Sequence, residues 1–211
     1  MKKTQKPILI LLSGGSGSGK TTVANEIMKN LPSEVSGIIV CQDSYYTDQT
    51  HNNKFDPTIH NFDHPNAFDW KLMKNHIKKL LNKNSVRIPI YNYSTHSREL
   101  NANLTKPADI IIFEGIHALY DDELNNLAEL KIFVDTPKDE SFIRRLERDV
   151  QQRGRDLNSV ITQWRETVKP MYEAFIEPLK LKADVIIPWN NYQSKAVDII
   201  RKGLINLQKN D

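Results

Sequence analysis

The chain has 211 residues, 39% of them apolar and 26% charged, with 29 Lys and Arg against 26 Asp and Glu for a formal charge of +3. That balance excludes disordered, collagenous and fibrous classes, and so mild a charge gives no argument for a nucleic-acid or membrane partner. The single cysteine, Cys41, excludes an internal disulfide, a cysteine-rich zinc site and a CxxC redox pair, and it points to a reducing cytoplasm.

The opening MKKTQKPILILLSGG sets lysines before an apolar stretch, as a signal peptide would. Its uninterrupted apolar run is only Ile8 to Leu12, however, and no A-x-A site follows. No run approaches the about 18–20 apolar residues of a membrane span, so a soluble chain that keeps its N-terminus is expected. Strand-like runs follow at Pro7–Ser13, Gly37–Gln42, Asp109–Glu114, Leu130–Asp135 and Asp184–Pro188, each rich in Ile and Val and apolar on both faces. Helices are expected at Gly19–Leu31, Asn66–Asn82, Lys138–Gln152, Leu157–Phe175 (with Pro170 inside) and Gln193–Gln208. Alternation of this kind predicts a parallel sheet covered by helices on both faces. Two segments break the rhythm: the polar, aromatic-bearing stretch Asp43–Pro65, and Val86–Thr105, which alternates like a hairpin with Pro89 favouring an edge.

Gly14-Gly15-Ser16-Gly17-Ser18-Gly19-Lys20-Thr21, with Thr22 behind it, fits the GxxxxGK[ST] phosphate loop between a strand and a helix. Its backbone N–H groups would cradle phosphate at the helix N-terminus, Lys20 would reach the β- and γ-phosphates, and the Thr21 hydroxyl would ligate Mg²⁺. Glu114 closes the run IIIFE, where such folds hold the Mg²⁺ shell, although a strand-end carboxylate in water is the bland alternative. Asp43 ends the second strand; it could take the acceptor's proton, ligate Mg²⁺ through water, or merely cap a turn. Five arginines, Arg144, Arg145, Arg148, Arg153 and Arg155, crowd into twelve residues, with Arg144 and Arg148 on one helix face. Guanidinium forks suit phosphate oxygens and the charge that spreads during transfer. The alternatives are a solvated face, paired with Glu147 and Asp149, and a basic arm for RNA that lacks an interleaved aromatic ladder. Asn53-Lys54-Phe55-Asp56 fits a guanine signature by chance, since no DxxG element precedes it, and His60 with His64 has no zinc pattern around it.

In order, GGSGSGKTT, QDSYY, NFDHPNAFDW, IPIYNYSTHSR, IIFEG, FVDT and RRLERDVQQRGRD resemble the uridine kinase (uridine–cytidine kinase) family from Pro7 to Pro188. The resemblance implies a single P-loop kinase domain over residues 1–211: a five-stranded parallel sheet, a hairpin insertion at 86–105 and an arginine-rich lid at 144–160. It implies transfer of the γ-phosphate of ATP or GTP, with Mg²⁺, to the 5′-hydroxyl of uridine or cytidine in cytoplasmic pyrimidine salvage. It implies no nucleic-acid or membrane partner, and a homo-oligomer, a tetramer in the family. By the same resemblance Asp43 is base and metal-shell member, and Thr21 and Glu114 complete the metal site. Lys20, Arg148 and Arg153 act on the phosphates, and Arg145 joins them as the lid closes while also lying on the substrate side. Tyr46 contacts the nucleoside, Asp63 accepts from the ribose hydroxyls, and Tyr91, Tyr93 and His96 meet the pyrimidine. Arg155 and Gln163 reach the nucleoside side. Packing is the alternative for the two tyrosines, yet their alternation on a strand puts both on one face, as a pocket wall needs. Asn66 and His117 depart from the pattern at positions given no role. Another kinase of the superfamily, like phosphoribulokinase or pantothenate kinase, is the rival reading; a nucleotide-gated switch is a more distant one.

Overall fold

The computed structural model describes residues 6–29, 31–49, 55–56, 60–93, 95–189 and 195–210, the last three by backbone alone. Asn30, Gln193 and Ser194 of the expected helices, Asn53 and Lys54 of the NKFD match, Ser94 of the hairpin and parts of the 43–65 stretch lie outside the described residues. In chain order come β1 (Ile8–Gly14), α1 (Lys20–Met28), β2 (Gly37–Cys41), α2 (Trp70–Leu81), β3 (Val86–Asn92), β4 (Ser97–Thr105) and β5 (Ile110–Glu114). Then follow α3 (Asp122–Leu127), β6 (Leu130–Asp135), α4 (Lys138–Glu147), α5 (Leu157–Gln163), α6 (Lys169–Met171), β7 (Val185–Pro188) and α7 (Lys195–Asn210).

Five strands form one parallel sheet in the order β2-β5-β1-β6-β7, and β3 pairs with β4 in a separate antiparallel hairpin. Successive side chains on a strand face opposite ways, so the Ile-rich runs feed two layers at once. Leu9, Leu11, Ile111, Phe113 and Phe133 pack with Met73, Ile77 and Leu80 of α2. Ile10, Leu12, Ile110, Ile112, Ile132 and Val134 pack with Val23, Ala24 and Ile27 of α1 and with Val197 and Leu204 of α7. Burial on both faces holds for β1 and β5 but not for the sheet edges: Ile186 of β7 is 47% exposed. An edge strand has neighbours on one side only, and the sequence run does not say which strand that is.

Local chemistry moves several boundaries. α2 starts at Trp70 because Pro65–Ala67 makes a 3₁₀ turn and the Asp69 carboxylate caps the helix by accepting from the Leu72 N–H at 3.0 Å. The stretch expected as one helix over Leu157–Phe175 stays helical to Lys182, with wide π turns at Trp164–Val168 and Tyr172–Ile176 on either side of Pro170. Proline lacks an N–H and presses on the carbonyl four residues back, and a one-residue widening relieves that clash. α3 escapes a sequence reading because Leu124 alone of its six residues is buried. Among the described residues no helix is long and apolar enough to cross a membrane.

One turn is fixed by close approach. Gly19 enters α1 at φ +89°, and a Cβ there would stand 2.5 Å from the indole nitrogen of the buried Trp189. Any larger residue would therefore meet both backbone strain and a core ring.

Candidate active site

The register of the sheet brings three chain segments to one edge. Glu114 stands opposite Leu12 of β1 and Cys41 of β2, so the phosphate loop, the Asp43 turn and the end of β5 leave the sheet side by side. Within the loop, Lys20 is buried and its ammonium donates to the Gly15 carbonyl at 2.9 Å. Desolvation pulls its pKa below the lysine range, against the opposing pull of Glu114 and Asp43. Thr21 Oγ1 donates to Glu114 Oε1 at 3.0 Å. Burial pushes the Glu114 carboxyl up, while hydrogen bonds from Thr21 and the Cys41 thiol favour its charged form. Asp43 follows in a 3₁₀ turn, Gln42–Tyr45, and its carboxylate accepts from the Tyr93 hydroxyl at 3.1 Å. Thr21, Glu114 and Asp43 are hard oxygen donors beside a phosphate loop, which fits Mg²⁺, an ion held by one or two carboxylates with substrate phosphate and water. Among the described residues no group of three His, Cys, Asp or Glu side chains could hold a metal.

Next to this edge lies an aromatic recess. Tyr46 stacks on Phe68 with ring centroids 4.4 Å apart and lies 5.0 Å from Tyr91, which meets Tyr93 edge-on at 5.5 Å. Tyr91 and Tyr93 are neighbours as their alternation suggests, with Tyr91 buried and Tyr93 exposed at the rim. His96 stands with other company: it stacks on Phe62 at 4.9 Å, and Phe62 in turn meets Tyr46. Arg98 straps the hairpin to the site, donating to the Tyr45 and Tyr46 carbonyls and pairing with Asp69 at 3.3 Å. Asp63 is 5% exposed; burial pushes its pKa up, and Arg145 and Lys20 act against that. Its backbone is pinned from the turn that follows β5, where His117 Nε2 lies 2.7 Å from the Asp63 carbonyl oxygen. His117 is fully buried, and burial lowers its pKa to about 4.

The arginine-rich segment closes the third side. Asp149 is fully buried, and Arg145, Arg148, Arg153 and Arg155 all pair with its carboxylate, at 3.5, 2.8, 3.4 and 3.5 Å. Arg145 also donates to Ser16 of the phosphate loop and to Gln163, each at 2.8 Å, and Arg155 donates to the same Gln163 oxygen at 2.7 Å. The Arg153 guanidinium covers the Tyr93 ring at 4.6 Å. Arg144 does not share this cluster, although helical spacing puts it on one face with Arg148. Glu140, one turn earlier, captures it at 2.7 Å, and the backbone widens into a π turn from Arg148.

Comparison with known proteins bears on this arrangement. Residues 9–195 match the model of the Phosphoribulokinase / Uridine kinase family. A protein of Ureaplasma parvum serovar 3 named uridine kinase is 46% identical over 204 residues, covering 97% of this chain and 99% of that one. The chain belongs to this family. A uridine kinase of Clostridium novyi is 48% identical over 195 residues, with 92% and 93% of the two chains covered. Among solved structures, D-glycerate 3-kinase from Cryptococcus neoformans superposes with a TM-score of 0.62 at 14% identity over 85% of this chain and 82% of that one, which shows a shared fold.

Within this family member, four side chains carry the site's geometry although sequence reasoning gives them no role in binding or catalysis. Asp149 has a signal, one of two acids among the arginines, and Arg98 and Phe62 sit inside the motifs named above. His117 has none, because a histidine after an apolar strand reads as an irregularity. Asp149→Asn keeps the shape and removes the charge, so four guanidiniums would face each other; we expect a loss of about 3 kcal/mol, read by urea unfolding, with faster amide exchange over residues 148–163. His117 titrates near 4 in the fold against 6.5 in the unfolded chain. The unfolded chain therefore takes the proton first, and the contribution of neutral His117 is whole above about pH 6.5 and lost toward pH 4, about 3 kcal/mol in all. The buried carboxyls Glu114 and Asp63 have raised pKa values and act in the opposite sense. The readout is accordingly the difference between wild type and His117→Leu, which should narrow by that amount across this window in urea unfolding.

Proposed function

We propose that the chain is an ATP-dependent nucleoside kinase that moves the γ-phosphate of ATP, or GTP, to the 5′-hydroxyl of uridine or cytidine, giving UMP or CMP. The observation that carries this reading is a pair of carboxylates beyond the phosphate loop, Asp43 at its mouth and buried Asp63 deeper in, beside an aromatic recess. Relatives named uridine kinase at 46% and 48% identity support the choice of acceptor. The hairpin at 86–105 and the arginine-rich lid at 144–160 serve one kinase domain.

In this reading the ribose spans the two carboxylates. Asp63 accepts from the 2′- and 3′-hydroxyls, since an ionised carboxylate offers acceptors only. Asp43 takes the 5′-proton; the freed oxygen bonds to the γ-phosphorus in line as the bond to the β–γ bridging oxygen breaks and ADP leaves. Residues Gly14 to Thr22 cradle the phosphates with their N–H groups, while Lys20, Arg148 and Arg153 stabilise the spreading charge. Bound Mg²⁺, held by Thr21, Glu114 and Asp43, would neutralise charge on the β- and γ-oxygens. Tyr46, Tyr91, Tyr93 and His96 hold the pyrimidine, with Arg145, Arg155 and Gln163 closing over the nucleoside. We place the reaction in cytoplasmic pyrimidine salvage, a compartment that suits a chain with one thiol.

A coupled ADP-release assay with Mg·ATP should show turnover with uridine or cytidine and none with thymidine, adenosine, pantothenate or ribulose 5-phosphate. Turnover with another acceptor alone would overturn the acceptor reading and leave the kinase fold standing. Asp43→Asn should cut kcat by about 10³-fold while ATP still binds by titration calorimetry; a loss of a few-fold only would remove Asp43 as base.

A further inference from the structure

We propose that His117 is a positioning residue that fixes Asp63 relative to Asp43 and thereby sets how strongly the enzyme prefers ribonucleosides to 2′-deoxyribonucleosides. The inference rests on the acceptor reading above, in which one ribose ring touches both carboxylates.

Two bonds from the same residue carry it. The His117 backbone N–H donates to Gln42 Oε1 at 2.9 Å, and its Nε2 lies 2.7 Å from the Asp63 carbonyl oxygen. Gln42 is fully buried and directly precedes Asp43 in the chain. A short relay therefore joins the two carboxylate-bearing segments: Asp63 carbonyl, His117 ring, His117 N–H, Gln42 side chain, then Asp43. A carbonyl only accepts, so Nε2 must carry the proton and the ring is fixed in one tautomer. Nδ1 is left as a buried nitrogen with no hydrogen-bond partner among the described residues. The rings of Phe68, Tyr120 and Phe175 surround the imidazole with centroids 5.8, 5.8 and 6.5 Å away. An apolar side chain would fill such a cage without an orphaned nitrogen, so the structural return on a histidine lies in its one directed bond to Asp63.

That bond matters because the other holds on the Asp63 segment are ring contacts of its neighbours, Phe62 against Tyr46 and His96 and His64 against Phe175, and none of them fixes the Asp63 backbone directly. Asp63 sits in a turn outside helix and strand, and its own N–H donates locally to Asn61 Oδ1 at 3.1 Å. The His117 bond spans 54 positions of chain and ties this turn to the one that follows β5. Accepting two adjacent hydroxyls requires both carboxylate oxygens to be placed at once. A turn that drifts loses the paired contact first, and with it the advantage of the 2′-hydroxyl.

The test compares uridine with 2′-deoxyuridine in the coupled assay for wild type, His117→Leu, His117→Asn, His117→Gln and Asp63→Ala. Glutamine places an N–H at the ε position, and asparagine falls short. With His117→Leu and His117→Asn we expect the KM for uridine to rise about tenfold, with the KM for ATP unchanged. The uridine-to-deoxyuridine ratio of kcat/KM should fall by a similar factor, and His117→Gln should restore most of it. An unchanged ratio in His117→Leu and His117→Asn, or a loss in kcat shared equally by both acceptors, would overturn the inference and leave His117 a packing residue. If the leucine variant fails to fold, the asparagine–glutamine pair separates the same two outcomes. Asp63→Ala separates the layers. If it abolishes the ratio while the His117 variants keep it, the relay alone is wrong; if it too leaves the ratio intact, the ribose assignment fails and the inference falls with it.

Discussion

β5 lies between β2 and β1 with Glu114 opposite both Cys41 and Leu12, and this register is what the rest of the site hangs from. A slip of one residue would turn Glu114 to the other face and break its bond to Thr21. The register is strongly specified because β5 is buried on both faces: Ile110, Ile111, Ile112 and Phe113 each fill one of two core layers. Core packing and catalytic geometry are thus one constraint. The Ile-rich core that folds the sheet is also the jig that sets the Glu114 carboxylate against the Thr21 hydroxyl beside the phosphate loop.

A second constraint is electrostatic. The site crowds four guanidiniums, Arg145, Arg148, Arg153 and Arg155, into one segment, an arrangement that suits an anionic ligand and opposes the empty fold. Asp149 resolves much of the conflict by sitting at the centre of four guanidiniums, fully buried. Arg153 extends the network over Tyr93, whose hydroxyl reaches Asp43, so the arginine-rich segment and the Asp43 carboxylate are in contact through one phenol.

Aromatic rings line the recess beside this edge. Tyr46 is packed between Phe68 and Tyr91 and touches Phe62, which carries His96. These residues come from three separate segments, and Arg98 keeps the hairpin among them by donating to the Tyr45 and Tyr46 carbonyls of the turn that follows β2.

Much of this was legible in the chain itself, and the reasons are local. GGSGSGKT is recognisable because a phosphate cradle needs glycines at set places, and short Ile and Val runs between helices mean strands of a parallel sheet. The neighbourhood of Asp43 and Glu114 was legible for the same reason: each stands at the end of such a run, and parallel strands deliver their ends to one edge. What tertiary structure alone decided are matters of partner choice across long sequence distance. The edge positions of β2 and β7, the turn widening around Pro170, and the split between Arg144 and Arg148 depend on what packs nearby. His117 is the sharpest case: its meaning lies in a carbonyl 54 positions away, and no periodicity, propensity or spacing encodes such a bond.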